Sequence, residues 1–196
     1  YPTGTIRPDW AESPSFYSGY FGQTDDFGKC LCGHSGIDVA TFEGDEVIAA
    51  HNGTVIKVLY NSPVGGNVIY LRSDNFTDND EQYYCITSYG HLGAVLVQEG
   101  EQVLAGERIA TEGNTGFVVS GTTAYWGNAP AGKGVHLHFS YTEFKNTGLP
   151  RYPNCLGNTS DPLPIVLYKN PDYSGTQVLL ANMISLLRYW KVKYNL

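Results

Sequence analysis

Across residues 47–141 the apolar positions come in short β-branched or aromatic runs bounded by Gly, Asn and Asp, and no long segment repeats at helical spacing. The runs at 54–60, 67–71, 83–87, 94–97 and 135–139 read as strands. Asn52-Gly53 and Gly65-Gly66 supply the positive backbone angles of tight hairpins, and Glu99-Gly100-Glu101 reads as a further turn. The pattern predicts an all-β domain of antiparallel sheets built from successive hairpins. Two stretches read as long loops: 72–81, which is polar and acidic, and 117–134, which carries Tyr125, Trp126, Pro130 and four glycines.

The two ends of the chain break this pattern. Residues 1–29 are rich in Tyr, Ser, Gly and Pro without periodicity, and are expected to wrap irregularly over the sheet. After a Pro-rich break at Ser160-Asp161-Pro162-Leu163-Pro164, residues 177–194 form the best helix candidate. Leu179, Leu180, Met183, Ile184, Leu186, Leu187 and Trp190 make it apolar around much of its circumference. Such a helix needs a cover, either its own domain or a protein partner or neighbouring domain. The expected organisation is an irregular N-terminal segment (1–29), a β domain (30–160) and a C-terminal extension with a helical tail (161–196). A chain that opens on Tyr1 rather than Met reads as a processed product or a piece of a longer polypeptide.

Composition narrows the partners. Twelve Lys and Arg against nineteen Asp and Glu leave a net charge of −7, which argues against a nucleic-acid partner. No apolar run approaches the roughly 18 to 20 residues of a membrane span. Cys30, Cys32, Cys85 and Cys155 fit either two disulfides or free thiols. Cys30-Leu-Cys32 ahead of His34 makes a poor start to a structural zinc site, because such sites separate their cysteines by two or more residues.

Four of the five histidines fall in three short clusters: His34-Ser35-Gly36-Ile37-Asp38, Tyr89-Gly90-His91-Leu92 and His136-Leu137-His138-Phe139. Residues two apart on a strand share a face, so His136 and His138 point one way while Leu137 and Phe139 point the other. By the same rule His34, Gly36 and Asp38 share a face, and Gly36 leaves space there for something bound. Two imidazoles and a carboxylate from separate strands suit zinc, and a three-residue set leaves the fourth position open, as catalytic zinc requires.

In order and flanking residues these clusters resemble the M23 family of peptidoglycan metallo-endopeptidases, the lysostaphin or LytM type. His34-Ser35-Gly36-Ile37-Asp38-Val39-Ala40 matches the family's His-x-Gly-x-Asp, Tyr89-Gly90-His91-Leu92 its Tyr-x-His-Leu, and His136-Leu137-His138-Phe139 its closing His-Leu-His-Phe. Ala49-Ala50-His51-Asn52-Gly53-Thr54-Val55 and the segment 99–107 are similar to its connecting text. The resemblance implies antiparallel sheets with an open substrate groove and one Zn²⁺ per chain. It implies His34, Asp38 and His138 as metal ligands, and His91 and His136 as an unliganded catalytic pair. One of that pair would take a proton from water while the other, protonated, would stabilise the oxyanion or feed the leaving amine. His136 is favoured as the base, because its segment also carries His138. His51 matches no functional position and reads as a turn histidine. Departures lie in the long insertion after Thr115-Gly116, in Val135 where the family often has Pro, and in a second insertion around 74–83. They bear on which substrate is cut, since none replaces a ligand or catalytic position.

The reading is therefore a zinc endopeptidase that cuts the stem or cross-bridge peptide of peptidoglycan outside the cytoplasm: extracellular, periplasmic, wall-associated or virion-associated. It could act within a larger protein or a phage or secretion assembly. The alternative is an inactive LytM-type binding or regulatory module, which would typically lack one of the five residues.

Overall fold

The computed structural model describes residues 17–19, 34–39, 42–127, 129–152 and 159. Among the described residues twelve strands run in chain order: β1 (Tyr17–Gly19), β2 (Ile37–Val39), β3 (Glu46–Ile48), β4 (Gly53–Ser62), β5 (Gly66–Ser73), β6 (Phe76–Asp78), β7 (Glu81–Leu92), β8 (Gln102–Val103), β9 (Arg108–Thr111), β10 (Phe117–Ser120), β11 (Thr123–Trp126) and β12 (Leu137–Lys145). The main antiparallel sheet has eight strands in the order β1-β2-β12-β7-β5-β4-β8, with β6 paired to β7. Two-stranded ribbons, β3 with β9 and β10 with β11, complete it. No helix of the described residues is long and apolar enough to cross a membrane.

Strand pairing sorts the side chains of the central strands onto two faces. Ile37, Phe139, Tyr89 and Ile69 stand opposite one another across β2, β12, β7 and β5, and each is at most 2 % exposed. Val39 opposite Leu137, with Leu71, Val55 and the β3–β9 residues Val47, Ile109 and Ala110, completes the same apolar layer. Period-two alternation then turns Asp38 and His138 to the opposite face of the sheet.

Several expectations are met and several shift. The runs at 54–60, 67–71 and 83–87 are strands, and β7 extends five residues beyond the last of them to Leu92. Residues 94–97 make only an isolated bridge, Val95 to Ala110. The Asn52-Gly53 pair is not a hairpin turn. Gly53 already pairs with Ser73, and a Cβ there would lie 2.1 Å from the Arg72 carbonyl oxygen, so glycine answers a close backbone approach.

Neither long loop is a loop throughout. In 72–81, β6 folds back on β7 through Asn79 and Asp80, both with positive φ (49° and 63°), a two-residue turn whose twist suits a hairpin. Arg151 pairs with Asp78 and Glu143 and lies over the Tyr83 ring, which pins this hairpin to the sheet. In 117–134, β10 and β11 form a hairpin in full register from Phe117 opposite Trp126 to Ser120 opposite Thr123. Tyr17–Gly19 is a strand where irregular chain was expected. The helix expected over 177–194, most of 1–29, and Cys30, Cys32 and Cys155 lie outside the described residues; Cys85 is buried in β7.

Candidate metal centre and histidine pair

On the face away from the core, His138 of β12 stands opposite Asp38 of β2 on one side and Gly90 of β7 on the other. Directly opposed residues share a face with Cβ atoms about 5 Å apart, so pairing alone brings the His138 ring to the Asp38 carboxylate. His138 Nδ1 is 3.0 Å from Asp38 Oδ1. His34 reaches the same point from the chain ahead of β2. Four fully extended residues would cover about 13 Å, so the bend at Ser35 and Gly36 is what lets His34 Nε2 come to 3.1 Å from Asp38 Oδ1 and 2.9 Å from His138 Nδ1.

Gly36 does not open space for a ligand, as its position between two polar groups suggested. A Cβ there would lie 2.3 Å from the Phe139 carbonyl oxygen and 3.1 Å from His138 Nε2, so glycine admits the protein's own β12 and the His138 ring.

The three converging atoms have the chemistry and spacing of a metal face. Two imidazole nitrogens and a carboxylate oxygen are zinc donors, and bonds of about 2.0–2.1 Å in tetrahedral geometry set neighbouring donors about 3.3 Å apart. The observed triangle has edges of 2.9, 3.0 and 3.1 Å, close to that separation. His34, Asp38 and His138 could therefore hold one such ion. Burial works to raise the Asp38 pKa, but hydrogen bonds from His138 and His34 outweigh it and hold the carboxylate well below its usual range. Burial pushes the His138 imidazole down. Both shifts favour the protonation states that bind a cation.

His91 and His136 flank this triangle by other means. Between the Asn67–Leu92 and Ile69–Tyr89 pairs, β5 advances two residues and β7 advances three, which is a β-bulge. His91 sits in it at φ 60°, in the left-handed region. Strict alternation would place Tyr89 and His91 on one face. The bulge separates them: Tyr89 packs in the core against Phe139, while the His91 ring lies 4.5 Å from that of His136 and 6.1 Å from that of His138. A non-glycine residue in this region costs on the order of 1–3 kcal/mol. The local hydrogen bonding offsets it: His91 N donates to Gly65 O (2.7 Å), and Asn67 Nδ2 caps the Leu92 and Gly93 carbonyls at 3.2 and 3.0 Å.

Backbone carbonyls orient both rings. His91 Nδ1 lies 2.9 Å from Thr115 O, and His136 Nδ1 lies 2.8 Å from Gly134 O. A carbonyl only accepts, so each Nδ1 carries the hydrogen and each neutral ring keeps its lone pair on Nε2. His136 Nε2 is 3.7 Å from Asp38 Oδ1, at the edge of the triangle. Burial, reinforced by the neighbouring His136, lowers the His91 pKa to about 3, so its ring is neutral near pH 7.

All five residues singled out in the sequence are thus brought together. His51 is not among them: it donates from Nδ1 to Asn52 O (2.9 Å) and contacts Thr87 Oγ1 at 3.0 Å. Of the supporting residues, Asn67, Asn114 and Gly134 escaped the sequence reading. They act through backbone or amide contacts that no spacing rule reveals; Thr115-Gly116 stood out only as the start of the long insertion. Beside Thr115, a shallow pocket of about 180 Å³ is lined by Asn61, Ser62, Pro63, Gly116, Trp126 and Gly127, which joins the β4–β5 turn to the β10–β11 hairpin.

Known proteins resemble this chain in sequence and in fold. The chain is 35 % identical over 108 residues to an uncharacterized metalloprotease of Haemophilus influenzae, a match covering 55 % of this chain and 18 % of that protein. It is 34 % identical over 120 residues to the peptidoglycan DD-endopeptidase ShyC of Vibrio cholerae (61 % of this chain, 22 % of ShyC). Over 90 residues it is 34 % identical to the murein hydrolase activator NlpD of Escherichia coli (46 % and 22 %). The chain therefore spans about a fifth of the length of these curated relatives. The solved structure of LytU superposes with a TM-score of 0.53 at 30 % identity, over 80 % of this chain and 87 % of that one. The model of peptidase family M23 matches residues 32–150, which include all five residues of the site. The chain belongs to peptidase family M23.

Proposed function

We propose that this chain is a zinc-dependent endopeptidase that hydrolyses a peptide bond in the stem or cross-bridge of bacterial peptidoglycan. The observation that carries the reading is the triangle of His34 Nε2, Asp38 Oδ1 and His138 Nδ1 beside two histidines whose Nε2 atoms are kept as acceptors. His34, Asp38 and His138 hold the ion. When bound, zinc supplies Lewis acidity that polarises a scissile carbonyl and brings the pKa of water towards about 7. His136, whose Nε2 lies 3.7 Å from Asp38 Oδ1, accepts the proton of the attacking water at that atom and returns it to the leaving amine. His91, held neutral by burial, offers a second acceptor that orients the water or a substrate N–H. This role departs from the protonated oxyanion donor that the resemblance implied for one of the pair.

The similarity to NlpD favours a second reading, a binding module that regulates other wall hydrolases. Against it, this chain keeps every ligand and catalytic position. Digestion of purified peptidoglycan of several cross-bridge types, with mass spectrometry of the released fragments, separates the two. Peptide-bond cleavage that stops with a chelator and returns with Zn²⁺ is the expected result. Zinc binding without cleavage of any wall would favour the regulatory module. Action outside the cytoplasm, on the wall itself, follows from the substrate, and a place in a larger protein or assembly fits the short span of the relatives that this chain covers.

A further inference from the structure

The two carbonyls that orient the histidine pair stand at the two ends of the 117–134 insertion, Thr115 O ahead of it and Gly134 O at its close. One side chain ties those ends together. Asn114, only 9 % exposed, places Nδ2 at 3.0 Å from Pro130 O and 3.0 Å from Lys133 O, with Ala129 O at 3.5 Å. An amide nitrogen donates and carbonyls accept, so both of its hydrogens are engaged across the base of the insertion. Asn114 adjoins Thr115, and Lys133 adjoins Gly134. The clamp is therefore one residue from each carbonyl that holds a histidine.

From this juxtaposition we infer that Asn114 is a positioning residue, which fixes the separation of the Thr115 and Gly134 carbonyls and through them the relative placement of the His91 and His136 rings. The inference rests on reading those two histidines as the catalytic pair. The insertion is then more than a recognition arm, because its closure sets which nitrogen of each ring faces the substrate. The same end of the insertion has a separate attachment, Gly132 N donating to Glu43 Oε2 at 2.6 Å, so it stays tethered when Asn114 is altered.

The test is Asn114→Asp, which keeps the shape of the side chain and removes both donors. The expected result is a kcat on wall-derived peptides lowered roughly 10- to 100-fold, as misplacement of a proton-transfer group costs, with KM within about two-fold and zinc content unchanged. Imidazole nitrogen NMR supplies a second readout. In the unaltered protein both rings should show the Nδ1–H form, and in Asn114→Asp the His136 ring should become a mixture of forms. A folded variant with unchanged ring forms overturns the inference, as does one with unchanged kcat or a change in KM alone. Cleavage surviving in His91→Ala and His136→Ala would instead overturn the catalytic reading, while the NMR comparison would still decide what Asn114 positions. If Asn114→Asp does not fold, Asn114→Ser, which retains one donor, takes the same measurements; failure of both to fold makes Asn114 a structural brace and overturns the inference.

Discussion

The two halves of the site are built by different means. Asp38 and His138 are set by the ladder between β2 and β12, where register places them opposite each other and the core residues on the reverse face hold that register. His91 and His136 are set by departures from regular structure: a bulge at the end of β7 and a segment just ahead of β12, each closed by a backbone carbonyl. Ion binding needs fixed distances, which a packed sheet gives cheaply. A proton-transfer group needs a defined ring nitrogen facing outward, and a single carbonyl acceptor supplies that wherever the chain can bend to meet it.

The sharpest way to break this comparison is to remove one residue from each half. His138→Ala or Asp38→Ala should abolish zinc binding and lower activity on the order of 10³-fold or more, because the whole Lewis-acid contribution goes with the ion. His136→Ala or His91→Ala should lower kcat by about 10²-fold or more and leave one zinc per chain. Metal analysis beside kinetics reads both. If His136→Ala empties the site while His138→Ala keeps its zinc, the roles within the His-x-His pair are reversed.

A second contrast lies in the response to acid. Burial lowers the His91 pKa to about 3 in the folded chain against about 6.5 when unfolded, so between those values the unfolded chain binds the extra proton and folding weakens as pH falls. His138 and Asp38, both shifted down, act in the same direction. Metal-free protein should lose up to about 1.4 kcal/mol per pH unit from His91 alone, or about 2 kcal/mol from pH 7 to pH 5. Denaturant titrations at those two pH values measure it. His91→Asn, which tolerates the left-handed backbone and does not titrate, should flatten the slope, and an unchanged slope would remove His91 from the account.

The smallest effect is expected at the pocket beside Thr115. Trp126, 58 % exposed on β11, meets the Phe117 ring at a tilt with centroids 4.3 Å apart and lines this pocket. Trp126→Ala should raise KM for peptidoglycan fragments several-fold and leave kcat and zinc unchanged, since it removes contact area without moving a reacting group. A fall in kcat at constant KM would show that the β10–β11 hairpin also orients the pair.

Much of this protein was legible in its sequence because two kinds of signal are local. Alternation marked β4, β5 and the start of β7, and the His-x-Gly-x-Asp, Tyr-x-His-Leu and His-Leu-His-Phe clusters, by their resemblance to M23 peptidases, named the five residues that the structure brings together. Local signals stop where a feature depends on what lies across the sheet. Gly36 reads in sequence as room for a ligand, yet the Phe139 carbonyl occupies that room. Residues 117–134 read as loop because the pairing of Phe117 with Trp126 is decided by closure of the hairpin rather than by composition. The placement of His91 shows the limit most plainly. Period two assigns it to the face of Tyr89, and only the extra residue in β7, accommodated because Asn67, Thr115 and Gly65 satisfy the backbone groups around it, turns the ring towards His136. Alternation along a strand is a property of the chain itself, whereas a bulge exists only when distant groups satisfy the hydrogen bonds it would otherwise leave unmade.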